Sequence, residues 1–135
     1  MTTPAEHPSS VPPPGTIDLT LQGSMMTSNA LTPNVLINGY PVRAQYGFNR
    51  IPMPPGPARV DVSCQWILEY GRASLEFEVR PGEAVPVFYM APMHQFSAGS
   101  IGHEPQKRKG VTATIVAVVG FVILVALMVA LLATL

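Results

Sequence analysis

The chain has 135 residues with eight basic and eight acidic side chains, enough for one domain and an appendage. Three of the cations lie together at Lys107, Arg108 and Lys109. The remainder holds five basic against eight acidic residues, a net −3 that leaves no basic footprint for nucleic acid. The single cysteine, Cys64, excludes an internal disulfide and a thiolate metal site, as is ordinary for a reducing compartment.

The chain opens with MTTPAEHPSSVPPPG, which has neither an apolar run nor a positive charge. Residues 1–15 therefore read as a disordered or polyproline-like arm, not as a signal peptide. No P-x-x-P flanked by arginine is present, so a solvated tail is favoured over a docking ligand.

Strict alternation follows, the signature of half-buried strands. In TIDLTL, Ile17, Leu19 and Leu21 share a face opposite Asp18 and Thr20. NVLING and NRIPM are shorter, less regular candidates. In ARVDVSCQW, Val60, Val62, Cys64 and Trp66 oppose Asp61, Ser63 and Gln65. In ASLEFEVR, Leu75, Phe77 and Val79 alternate with Glu76, Glu78 and Arg80. In AVPVFY, Val85, Val87 and Tyr89 alternate with Pro86 and Phe88. Asn38-Gly39 suits a hairpin turn, and Pro55-Gly56, Tyr70-Gly71 and Pro81-Gly82 are expected to separate the later strands. These runs predict an all-β small sandwich of about six or seven short strands over residues 16–92.

Residues 93–110 read as a linker ending in the basic cluster. From Val111 to Leu135 there is no charged residue, and the segment predicts a single transmembrane α-helix. Lys107, Arg108 and Lys109 flank it on one side only, so the amino-terminal domain is expected on the cytoplasmic face of the plasma membrane, with the cations on anionic headgroups. The position of this run at the end of the sequence predicts a tail anchor inserted after translation. Within it, Ala113, Ala117 and Gly120, and then Ala126, Ala130 and Ala133, recur at spacings of three and four. Each set lies on one helix face, where another membrane helix could approach closely.

The order of NVLINGYPV, IPMPPGPARVDVSCQW and ASLEFEVRPGEAVPVFYMAP resembles that of PEGA-type domains, small sandwiches related to transthyretin-like and carboxypeptidase-regulatory-like modules. The likeness covers roughly residues 33–92. TIDLTL and GSMMTSNALTP fall outside it. It implies a binding or spacer module with no catalytic residue. The outline of proline-rich arm, β-domain and terminal helix is also similar to small actinobacterial membrane proteins such as accessory subunits of the respiratory supercomplex.

The residues offer no reaction. His7 lies in the arm, and His94 and His103 lie in the linker as two exposed side chains, without the three or four converging ligands a metal needs. Cys64 shares an apolar face and reads as a small buried hydrophobe. No serine stands in a nucleophile elbow, and no phosphate loop is present. Asp61, Glu69, Glu76 and Glu78 read as solvating charges. No enzyme and no cofactor are expected.

Met25, Met26, Phe88, Met90, Met93 and Phe96 form a candidate interface, because the alternation does not need them for the core. The expected function is that of a tail-anchored accessory or scaffold protein whose partners are membrane lipid and integral membrane protein subunits. The alternative is a membrane-tethered sensor that binds a small ligand or lipid headgroup in a pocket lined by residues such as Tyr40, Tyr46 or Trp66.

Overall fold

A computed structural model describes residues 11–135; the first ten residues of the arm, with His7, lie outside the described residues. The strands are β1 (Gly15–Leu21), β2 (Asn34–Ile37), β3 (Tyr40–Val42), β4 (Gly47–Met53), β5 (Gly56–Gln65), β6 (Glu69–Val79), β7 (Ala84–Met90) and β8 (Ser100–Gly102). They form two four-stranded sheets, ordered β4-β1-β7-β8 and β3-β2-β5-β6. The molecule is a small β-sandwich followed by one apolar helix, α1 (Val111–Thr134). The strand number exceeds the expected six or seven because β3 and β8, at three residues each, are too short to show alternation.

The expected faces meet in the core. Ile17, Leu19 and Leu21 are fully buried, opposite Val60, Val62 and Cys64 from the second sheet, with Val85, Val87 and Tyr89 beside them. β1 sits between β4, antiparallel, and β7, parallel, so both of its edges are paired. Asn38, at φ 52°, and Gly39, at φ 84°, make the two-residue β2–β3 turn that Asn-Gly favours. Gly15, read from the sequence as the last residue of the arm, belongs to β1 and is buried.

Two expectations change at the β5–β6 hairpin. Trp66 does not continue the buried face of β5: pairing stops at Gln65 opposite Glu69, and the chain turns through Trp66, Ile67 and Leu68. Tyr70-Gly71 is not a turn between strands but lies within β6. There Tyr70 pairs with Cys64 and Ala73 with Val62, three steps against two, which is a β-bulge at Gly71, φ 63°.

The bulge has a structural use. The Gly71 carbonyl accepts a hydrogen bond from the buried Tyr89 hydroxyl at 2.6 Å, and Cys64 Sγ lies 3.2 Å from that hydroxyl oxygen. Tyrosine has one proton and the carbonyl can only accept, so the thiol donates to Tyr89. Burial pushes the Cys64 thiol above its usual range, partly offset by the Tyr89 and Tyr70 hydroxyls, and pushes the Tyr89 hydroxyl up as well. Beside them the Gly99 N–H donates to the Arg72 carbonyl at 3.2 Å, which ties the segment before β8 to the edge of the second sheet. A Cβ at Gly99 would collide with the Gly71 carbonyl and the Tyr89 ring.

α1 has 24 residues, about 36 Å at ~1.5 Å per residue, and is long and apolar enough to cross a membrane. It is apolar on all sides, and none of its residues is buried against the sandwich.

Tyr89→Phe is expected to lower stability by about 1–2 kcal/mol through loss of the buried bonds, and Gly99→Ala by about 1–3 kcal/mol through overpacking. Denaturant unfolding of the full chain in detergent micelles measures both. Cys64 is expected to resist a thiol-labelling reagent in the folded protein and to react at once on unfolding.

Candidate functional site

β1, β5 and β7 end where β2, β4 and β6 begin. Leu21 stands beside Gly47 and Tyr89, Asn34 beside Ser63, and Gln65 beside Glu69. A bond between the sheets, from Tyr89 to Gly71, and one from Asn29 Nδ2 in the β1–β2 loop to the Gln65 carbonyl at 2.9 Å place these strand ends together. This end of the sandwich carries residues 22–33, the hairpin tip 66–68, residues 91–99, and the approach to α1.

Asn29 organises the first of these loops. Its side chain is buried and bonds the Gln65 carbonyl, and its own carbonyl accepts from the Tyr46 hydroxyl at 2.9 Å. Burial raises the Tyr46 hydroxyl above its ordinary range, consistent with a hydroxyl that stays protonated and donates. With its root held, the loop projects Met25 and Met26 outward, and Met26 is 94% exposed.

The stretch expected as a linker over 93–110 is fastened to the sandwich. β8 pairs with β7, placing Met90 beside Ser100. The Gln106 N–H donates to Gln22 Oε1 at 2.7 Å, and Gln22 Nε2 donates back to the Gln106 carbonyl at 3.2 Å. The Met93 N–H donates to the Lys109 carbonyl at 2.9 Å. Of the two histidines expected to be exposed, His103 is exposed and His94 is not, and both are bonded. His94 is half-buried and bonded to Ser97 at 3.2 Å. His103 bonds the Pro86 carbonyl at 2.9 Å and meets Phe77 edge-on at 5.2 Å. Among the described residues, no three His, Cys, Asp or Glu side chains converge on one point.

The basic cluster divides in two. Arg108 is half-buried, donating to the Thr27 carbonyl at 2.7 Å and to Ser28 Oγ at 2.9 Å, with Met93 Sδ at 3.9 Å. Lys107 and Lys109 are exposed. One of the three cations thus holds a loop, and two remain for solvent or headgroups.

The candidate interface also divides. Met25, Met26, Met93 and Phe96 are exposed at the loop end. Phe88 and Met90 are half-buried on the outer side of β7, because β8 runs alongside and covers part of them. Sequence reasoning missed Ile67 and Leu68, and named Trp66 only as a strand residue and a pocket-lining one; all three are exposed at the hairpin tip. Three consecutive large apolar residues after a strand were the available signal. An open depression of about 410 Å³ joins Met25, Trp66, Met93 and His94. Tyr40 is exposed in β3 and Tyr46 is bonded to Asn29, so neither lines that depression.

The small residues of α1 are all exposed along the helix. At ~100° per residue the set beginning at Ala126 lies about 140° around the axis from the set beginning at Ala113, so the two do not form one stripe. The outer face of the second sheet has a polar depression, but its charges pair locally, Arg59 with Asp61 at 3.0 Å and Arg72 with Glu69 at 2.8 Å. The Ser63 hydroxyl and Arg72 hold the Glu69 carboxyl below its usual range.

No family model matches the chain, and comparisons with curated proteins and with solved structures find no match. The likeness to PEGA-type domains rests on the order of turns and strands alone.

Arg108→Ala is expected to loosen residues 24–28 by about 1–2 kcal/mol, the scale of a charge-assisted bond discounted for partial exposure. Amide hydrogen exchange should show faster exchange at Met25–Ser28 with the rates in β1, β5 and β7 unchanged.

Proposed function

We propose that the protein is a membrane-anchored accessory or scaffold protein. α1 crosses the plasma membrane, and the sandwich stands on the cytoplasmic side, where it binds or caps a larger membrane complex. The observation that carries this reading is the fastening of the chain to the sandwich up to Lys109, one residue before the N-cap of α1. A domain on a free tether samples many positions, whereas one held this close to its helix presents a fixed surface to a neighbour in the same membrane. The exposed cations Lys107 and Lys109 support the cytoplasmic side. Respiratory supercomplexes are the first assemblies to test, because of the similarity in outline. The sensor reading retains one specific support, the depression beside Trp66 and His94.

Affinity purification of the full chain from detergent-solubilised membranes is expected to recover integral membrane subunits in a fixed ratio. Recovery of the protein alone would overturn the scaffold reading. With Lys107→Glu and Lys109→Glu together, and Arg108 kept to hold its loop, a fraction of molecules is expected to insert in reverse. Protease added outside intact cells should then cleave the sandwich of the variant and spare that of the native protein.

A further inference from the structure

The hairpin tip at Trp66–Leu68 is costly for a soluble domain. Ile67 is 82% exposed and Leu68 69%, and Trp66 stands beside them, also exposed. None of the three serves the core. Part of the backbone at the tip is paired within the hairpin: the Trp66 N–H donates to the Leu68 carbonyl at 3.1 Å, and the Trp66 carbonyl accepts from Gln65 Nε2 at 3.4 Å. A tip with large apolar side chains and a partly paired backbone is suited to the interfacial layer of a membrane, where apolar groups leave water and the remaining polar groups still reach it.

The tip has company. Met25 and Met26 project from the loop rooted by Asn29, and Phe96, 87% exposed, projects from the segment after β7. All three loops lie at one end of the sandwich, and the shared depression brings Met25, Trp66 and Met93 together. It is also the end from which α1 departs, since Met93 bonds Lys109 and Arg108 bonds Thr27. The turns at the opposite end, Asn38-Gly39, Pro54-Pro55 and Pro81-Gly82, present proline, glycine and asparagine.

We propose that this end of the sandwich is a second membrane contact. The Trp66–Leu68 tip, with Met25, Met26 and Phe96, enters the interfacial layer of the bilayer that α1 crosses. Lys107 and Lys109 lie on anionic headgroups at the rim. Continuity with the start of α1 selects lipid as the occupant, together with the pairing of tryptophan and lysine that marks membrane interfaces. The contact sets the orientation of the domain as well as its location. It rests on the reading of α1 as a membrane span.

Trp66 is the single tryptophan of the chain and so reports on its own surroundings. The full chain is reconstituted into vesicles of phosphatidylcholine and phosphatidylglycerol, with acyl chains brominated either near the headgroup or near the methyl end. Expected is loss of more than half the Trp66 emission with the shallow bromines and a smaller loss with the deep ones. Ile67→Asp with Leu68→Asp should abolish the shallow quenching and shift emission to longer wavelength, while the protein stays resistant to alkaline carbonate extraction. A carbonate-resistant native protein whose Trp66 is quenched by neither lipid would overturn the contact and leave the span intact. Extraction of the native protein by carbonate would overturn the span, and the contact with it.

Discussion

A buried hydroxyl must find a partner, and the Tyr89 hydroxyl lies buried between the two sheets. A regular β6 would keep its carbonyls in the ladder direction. The bulge at Gly71 turns one toward Tyr89, and Cys64 completes the group with a donated thiol proton. The next carbonyl, Arg72, takes the Gly99 N–H, and the absence of a side chain at Gly99 allows the chain to pass close over the ring. The route of residues 91–102, and so the position of β8, follows from this one requirement.

From β8 onward the chain is directed back across the loop end. The reciprocal amide bonds of Gln22 and Gln106, the reach of Arg108 to Thr27 and Ser28, and the Met93–Lys109 bond form a succession of attachments that ends where α1 begins. Individually these are modest bonds near the surface. Their value is cumulative, because each limits the freedom over which the next must close. The outcome is that exposed apolar side chains on three separate loops share one end with the helix. That coincidence is the physical basis for reading this end as the side that faces the membrane.

Much of the sandwich is legible in the order of residues alone. Alternation assigns Ile17, Leu19, Leu21, Val60, Val62, Cys64, Val85, Val87 and Tyr89 to the core, because a strand with one wet face must place apolar residues at every second position. Where a strand ends, that rule stops. Trp66 continues the alternation of β5 on paper, yet it lies in the tip, since the ladder closes one residue earlier. Tyr70-Gly71 has the look of a turn because glycine at positive φ serves turns and bulges equally well.

The sequence by itself determined two things: that residues 111–135 hold an apolar segment long enough for a membrane, and that the preceding body is a β-sandwich. Both are properties of local composition and period, which the chain displays residue by residue. Only the tertiary structure decided that the supposed linker is fastened down, that Arg108 belongs to a loop eighty residues earlier in the chain, and that Met25, Trp66 and Met93 meet. Those depend on which distant backbone groups need partners, a requirement that has no period and no composition to reveal it.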